Sequence, residues 1–434
     1  MPRPKLIPVK EPFAKDFLWG AATSAHQVEG HQHNNWSVWE ASVADKLAKN
    51  ARSRLINTVP DWKAIQAEAE DPVNYISGSA ADHYNRYEED FDLLKSLGCN
   101  AYRFSIEWSR VETKPNQYNK AALTHYRNMV QALKKRGITP MVTLHHFADP
   151  IWLEDKGGWH GPAVVESFTA FARAISKQIG QDIDYWCTVN EPGSYLLQRY
   201  LGGGAWPAWP TTVMNPSLGY KYLKNVISAH KSVRKVIKEA NPKAMVGIAH
   251  GLLDYQLGRH DPLSWIFKKQ LDYIPDTYIL NRIRNDTDFI GVNYYMRLLI
   301  KSRLSSPQYW TIKKAHDDPA NDMGWGIYPA GLYNITQKLI RYNLPLIVTE
   351  NGIPDTKDNL RGKYINDHLA ELARSISDGA DIRGYFYWSL LDNYEWSEGF
   401  WPKFGLVSID RKTKNRTLRQ SALEYASLIK KYSA

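Results

Sequence analysis

Cysteine is nearly absent: Cys99 and Cys187 are the two in 434 residues, both in apolar settings. No disulfide framework and no thiolate metal cluster is readable from them. Apolar runs are short, and none approaches the roughly 20 residues that cross a bilayer. The first fifteen residues hold four prolines and lack the apolar stretch of a secretory signal. A cytoplasmic protein with no integral membrane segment is the expectation. Low-complexity linkers and breaks in composition are missing too, so residues 1–434 are expected to form one domain with one large core.

Charge is weighted to one sign: Lys and Arg number 55 against 45 Asp and Glu, a net charge of +10. A basic balance can signal nucleic acid or an anionic surface. Here the cations are scattered through amphipathic stretches such as 230–238, which reads as a solvated helix face and argues against nucleic acid. Aromatic residues are in surplus, with 16 Trp and 26 Tyr. Rings with polar edges suit a cleft for an amphipathic ring such as a sugar, and bulky packing in a large barrel is the plainer alternative.

Short apolar runs recur at 17–22, 101–106, 140–146, 185–190, 244–250, 289–295, 345–350 and 382–389. Helix-like segments lie between them, at 87–97, 120–136, 163–180, 218–240, 330–342 and 364–378. Strand alternating with helix implies a parallel sheet. Eight repeats without a break point to a (β/α)8 TIM barrel, whose active site forms at the carboxyl ends of the strands. A doubly wound open sheet is the alternative, but it would not bring eight strand ends to one point. The polar stretches 42–78 and 301–326 are expected as long loops on the catalytic face.

Two of the runs end on a carboxylate followed at once by a chain breaker. These are Thr188-Val189-Asn190-Glu191-Pro192 and Val348-Thr349-Glu350-Asn351-Gly352. A strand that ends this way delivers its carboxylate to the rim of a sheet. Two such carboxylates at one rim are what glycoside hydrolysis needs. The remaining strand ends offer Gln27, Arg103 with Glu107, His146, Asn190, His250, Asn293 with Tyr295, and Trp388. Amides, imidazole and carboxylates fix hydroxyl groups, while indole stacks on a pyranose face.

These residues resemble glycoside hydrolase family 1, the retaining β-glycosidases. The resemblance starts at Phe17-Leu18-Trp19-Gly20 and runs through Thr23-Ser24-Ala25-His26-Gln27 and Arg103-Phe104-Ser105-Ile106-Glu107-Trp108. It includes Thr143-Leu144-His145-His146-Phe147, both glutamate motifs and Asn293-Tyr294-Tyr295, and ends on Trp388 to Trp396 and Lys403-Phe404-Gly405. It implies an O-glycosyl hydrolase with Glu191 as acid/base and Glu350 as nucleophile, their carboxyl groups about 5–5.5 Å apart. Arg103 and Tyr295 would keep Glu350 ionised. Asn190 would bond the sugar 2-hydroxyl. Gln27, His146, Asn293, Trp388, Glu395, Trp396 and Phe404 would bind substrate, with Glu395 on the 4- and 6-hydroxyls and Trp325 on the aglycone side. A carboxylate at 395 would repel a 6-phosphosugar. The implied partner is a small β-glycoside or oligosaccharide, and no metal or organic cofactor is implied.

Three features depart from the family pattern: Phe147 stands where many members have Trp, Trp206 and Trp209 fall in an unmatched stretch at 202–210, and the 42–78 insertion has no counterpart. His250 and Cys187 read as structural, and Glu107 with Arg110 as a structural pair beneath the site. Other classes remain open. A catalytically dead sugar-binding protein usually lacks one of the glutamates, whereas this chain keeps both. A transglycosylase would use the same residues, and a membrane-surface enzyme would use the positive charge to reach lipid glycosides.

Overall fold

The computed structural model describes residues 13–202, 209–258, 260–273, 276–302, 310–313 and 318–433. Eight parallel strands close into a barrel. In chain order they are β1 (Leu18–Ala22), β2 (Ala101–Ser105), β3 (Thr139–His145), β4 (Tyr185–Asn190), β5 (Met245–Gly251), β6 (Phe289–Asn293), β7 (Leu346–Asn351) and β8 (Ile382–Trp388). Each pairs with its sequence neighbours, and β8 closes the ring on β1 with Ala22 opposite Trp388. Eight helices follow the strands: α1 (His83–Ser96), α2 (Lys120–Lys135), α3 (Val164–Ile179), α4 (Pro216–Ala240), α5 (Asp276–Ile283), α6 (Ala330–Leu339), α7 (Arg361–Ser377) and α8 (Gln420–Ser433). The expected (β/α)8 barrel is the observed fold. Sequence reading missed α5, which is only 8 residues long, and α8.

Strand periodicity sorts the core into two layers. Ala101, Met141, Cys187, Ala249, Phe289, Ile347 and Phe386 pack together inside the barrel. Tyr102, Val142, Trp186, Ile248, Ile290, Val348 and Tyr385 join the layer between strands and helices. Cys187 is therefore core, as expected.

Two strands break the period where it matters. Along β4 and β5, Cys187 pairs with Gly247, yet Asn190 pairs with Ala249. Along β7 and β6, Val348 pairs with Val292, yet Glu350 pairs with Asn293. Each strand carries one extra residue just before its end, and a bulge of this kind re-aims the side chains beyond it. Val189 accordingly joins the outer layer despite its two-residue offset from the inward Cys187. Asn190 and Glu350 turn into the barrel mouth instead.

The stretch expected as a polar loop at 42–78 is largely helical, with helices at Asn35–Lys49, Ala51–Leu55 and Trp62–Ala69 and a short turn of helix at Pro72–Tyr75. Ala51, Leu55, Trp62, Ile65 and Ala69 form an apolar stripe at helical spacing that packs with Trp388, Trp401 and Phe404 on the catalytic face. In the second stretch, strands Arg297–Ser302 and Trp310–Lys313 pair antiparallel beside Asp254–Leu257, so it too is more than a loop. No helix among the described residues is long and apolar enough to cross a membrane.

Candidate active site

The rim at the carboxyl ends of the strands gathers the expected groups. Arg103, inward on β2 and 1% exposed, reaches four partners. Its Nη1 donates to Glu350 Oε1 at 2.5 Å and to the Thr349 carbonyl at 3.2 Å. Its Nη2 donates to Asn190 Oδ1 at 2.6 Å, and its Nε to Thr143 Oγ1 at 3.1 Å. Tyr295 Oη donates to the other Glu350 oxygen at 2.7 Å.

Glu191 sits differently. It leaves β4 with φ 41°, in the left-handed region, and Pro192 opens the short helix Pro192–Leu196 behind it. Its Oε1 accepts from Asn293 Nδ2 at 2.8 Å, and its Oε2 from Ser194 Oγ at 2.6 Å. Asn293 Nδ2 also reaches Asn190 Oδ1 at 3.1 Å, while Asn293 Oδ1 accepts from Thr349 Oγ1 at 2.7 Å. Gly251 lets the carboxyl come this close, since a Cβ there would stand 2.6 Å from Glu191 Oε2.

Electrostatics separates the two acids. Burial, then the nearby Glu350 charge, pushes Glu191 from 4.5 up to about 7, against the opposing pull of Ser194 and Asn293. Burial raises Glu350 as well, but Arg103 leads the groups that oppose the rise, with Tyr295 and Asn293 adding hydrogen bonds. A full cation faces Glu350 whereas only neutral donors face Glu191, so Glu350 is the one that ionises first.

Asn190 accepts two hydrogen bonds on its oxygen, which fixes its amide orientation and turns Nδ2 toward His146 Nε2 at 3.1 Å. His146 is held neutral by burial and then by Arg103. If Nε2 accepts, the ring proton lies on Nδ1, a buried atom with no partner among the described residues. The ring stacks beside Trp388 and Trp396, with centroids 5.7 and 6.0 Å away. Phe147 packs edge-on to Trp396 at 5.2 Å, and Trp209 reaches both Phe147 and Trp396. Gln27, from the turn of helix after β1, donates to the Tyr394 carbonyl at 2.8 Å and to Glu395 Oε2 at 3.4 Å. Trp325 meets Tyr295 and Phe404 at 6.1 and 6.2 Å, along the Glu350 side.

Every residue expected at the site is thus in one linked cluster. His250 lies outside it: it faces the helices and bonds Asp276 Oδ1 of α5 through Nδ1 at 2.9 Å. The expected pairing of Arg110 with Glu107 is corrected, because Arg110 Nε meets Glu29 Oε2 at 3.2 Å. Glu107 instead accepts from Asn34 and Ser109. Trp206 lies outside the described residues. Sequence reading missed Ser194, Thr349 and Gly251. Ser194 alone left a signal, three residues beyond Glu191 on a helix. Among the described residues no group of three or more His, Cys, Asp or Glu could hold a metal ion.

The model of glycosyl hydrolase family 1 matches residues 9–264 and 266–433. The chain belongs to glycosyl hydrolase family 1. It is 29% identical to β-glucosidase A of Thermotoga maritima over 96% of this chain and 98% of that one. It is 28% identical to a β-galactosidase of Pyrococcus woesei, with 95% of each chain covered. Among solved structures, a β-glycosidase from Pyrococcus horikoshii superposes with a TM-score of 0.83 and 33% identity, covering 97% of this chain and 95% of that chain. This family 1 member is a glycosyl hydrolase, and the linked cluster at its barrel rim is where its chemistry is to be sought.

Proposed function

We propose that the protein is a retaining β-glycosidase that releases terminal, non-reducing β-linked glucose, and also galactose and fucose, from small unphosphorylated glycosides. The observation that carries this reading is the unequal provision for two buried carboxyls at one rim. Glu350 has a guanidinium and a phenol on its two oxygens, while Glu191 has only an amide and a hydroxyl. Relatives named as β-glucosidase and β-galactosidase support both epimers.

In the first step Glu191 gives its proton to the glycosidic oxygen while Glu350 Oε attacks the anomeric carbon from the opposite face. The aglycone leaves as an alcohol, and the sugar is held as an ester of Glu350. That ester carries no charge, so the field that raised Glu191 falls away and its carboxylate becomes a base. Glu191 then takes a proton from water, whose oxygen attacks the anomeric carbon, and Glu350 departs as a carboxylate. Two inversions give net retention.

Asn190 is suited to the 2-hydroxyl, because its amide is already oriented by Arg103 and Asn293. His146 offers its Nδ1–H to a ring hydroxyl, and Gln27 and Glu395 bind the far edge of the sugar. Trp388, Trp396 and Phe404 form the apolar wall, and Trp325 flanks the aglycone. We place the enzyme in the cytoplasm, a reading supported by its two buried free thiols.

Initial rates on p-nitrophenyl β-glucoside, β-galactoside, β-fucoside, β-mannoside, α-glucoside and 6-phospho-β-glucoside test this. Turnover of the first three and none of the last two is expected. Turnover of the α-glucoside, or of the phosphosugar in preference, would overturn it.

A further inference from the structure

The helical insertion after β1 packs against the turn that carries Glu395 and Trp396. We infer that Arg54, on that insertion, is a positioning residue for recognition of the 4- and 6-hydroxyls of the sugar, acting through this turn. The inference rests on the proposed role of Glu395.

Among the described residues the Glu395 carboxyl has a single side-chain hydrogen bond, the 3.4 Å contact from Gln27. Its aim is therefore set by its backbone. That backbone is a tight loop closed on itself: Glu395 N donates to the Gly399 carbonyl at 2.6 Å, Glu398 N to the Glu395 carbonyl at 2.9 Å, and Gly399 N to the Trp396 carbonyl at 3.1 Å. Trp396 is left-handed at φ 48°, so the loop holds a conformation it would not adopt alone.

The insertion supplies the clamp. Asn74 Nδ2 donates to the Glu398 carbonyl at 3.0 Å, and Asn74 Oδ1 accepts from Phe400 N at 2.8 Å. Gly399 is pressed so close that a Cβ there would lie 2.2 Å from the Asn74 carbonyl oxygen. On the preceding side, Tyr394 Oη donates to the Tyr75 carbonyl at 3.1 Å.

Arg54 completes the grip. Its Nη2 reaches Glu398 Oε1 at 3.1 Å and Oε2 at 3.0 Å. Glu398 is 3% exposed, so its carboxylate depends on that cation. Without it, Glu398 must take up a proton or turn toward water, and either change loosens the loop three residues from Glu395. Arg54 is itself on the rim of the insertion, with 19% of its side chain exposed, and does not reach the sugar cluster.

The test is the ratio of kcat/KM for p-nitrophenyl β-glucoside over p-nitrophenyl β-xyloside, whose sugar lacks the 6-hydroxymethyl group. Both rates come from one sample, so the ratio does not depend on how much of a variant is folded. Arg54→Met is expected to lower it about tenfold, through KM of the glucoside, which is the scale of one misaligned polar contact. Arg54→Lys should restore much of the loss. Glu395→Gln should lower the ratio at least as far, and adding Arg54→Met to it should change little more. An unchanged ratio in Arg54→Met, with Glu395→Gln collapsing it, overturns the inference alone. So does a full further drop in the double variant, which would mean that Arg54 acts independently of Glu395. An unchanged ratio in Glu395→Gln overturns the role of Glu395 and the inference with it.

Discussion

Arg103 donates a 2.6 Å hydrogen bond to Asn190 Oδ1 while its neighbouring nitrogen holds Glu350 at 2.5 Å. One rigid guanidinium thus couples the charge of the proposed nucleophile to the orientation of the amide proposed to meet the 2-hydroxyl. Lysine cannot reproduce this, since its ammonium lacks the planar fork. Arg103→Lys is expected to lower kcat by about 10²- to 10³-fold, on the scale of losing a transition-state donor. The acidic limb of kcat/KM should also move up as Glu350 loses its best counter-ion. A variant with normal kcat and an unmoved limb would contradict the coupling.

The leaving group separates the roles of the two acids. Glu191→Ala should cut kcat/KM on alkyl glycosides or cellobiose by about 10²- to 10⁴-fold. A 2,4-dinitrophenyl glycoside needs little protonation to depart, so its glycosylation step should be far less affected. Equal losses on both substrates would remove Glu191 from the acid role.

The pH profile reports Glu191 through its basic limb. As the proposed acid, Glu191 donates only when protonated, and burial followed by the Glu350 charge raises it to about 7. Activity should therefore fall as pH rises through that value. Ser194 Oγ stabilises the ionised form, so Ser194→Ala should raise the pKa further and move the basic limb to higher pH. The measurement is kcat/KM against pH for both proteins. A limb that stays or moves down would show that Ser194 does not tune the acid.

Glu395 links stability to pH. Burial, then Glu350, Glu398 and Glu191, raises it from 4.5 to about 8. The folded state binds this proton more tightly than the unfolded chain does. Its contribution is fully present below the unfolded value and is lost as pH rises through the folded one. Glu395→Gln escapes that loss. Its Tm relative to the parent should rise by about 2–5 °C between about pH 5 and pH 9. A constant or falling difference would contradict the shift.

The barrel is legible in the sequence because every barrel strand is a short apolar run and six stretches of helical period lie between or after them, and β4 and β7 end on a glutamate with a breaker behind it. The extra residue in each of these two strands was not legible, since a bulge changes facing without changing composition. The helices at 35–69 were hidden for a different reason. Their apolar positions, Ala51, Leu55, Trp62, Ile65 and Ala69, are spread among charged residues and interrupted by turns, so the stretch looks polar when read for runs. The sequence reading pairs Arg110 with Glu107, whereas the fold places Glu29 beside it. The linked glycone residues were reached through family motifs. The grip of Arg54 on Glu398 joins positions 344 residues apart and leaves no local trace.

The most direct test of the double displacement is to trap the sugar on the protein. In 2-deoxy-2-fluoro-β-D-glucosyl fluoride the 2-fluorine slows both steps, while the good fluoride leaving group keeps the first faster than the second, so the ester accumulates. Digestion and mass spectrometry should then find one glycosylated peptide with the label on Glu350. A label on Glu191, or an unlabelled protein whose first product from a β-glucoside is the α-anomer, would contradict the mechanism.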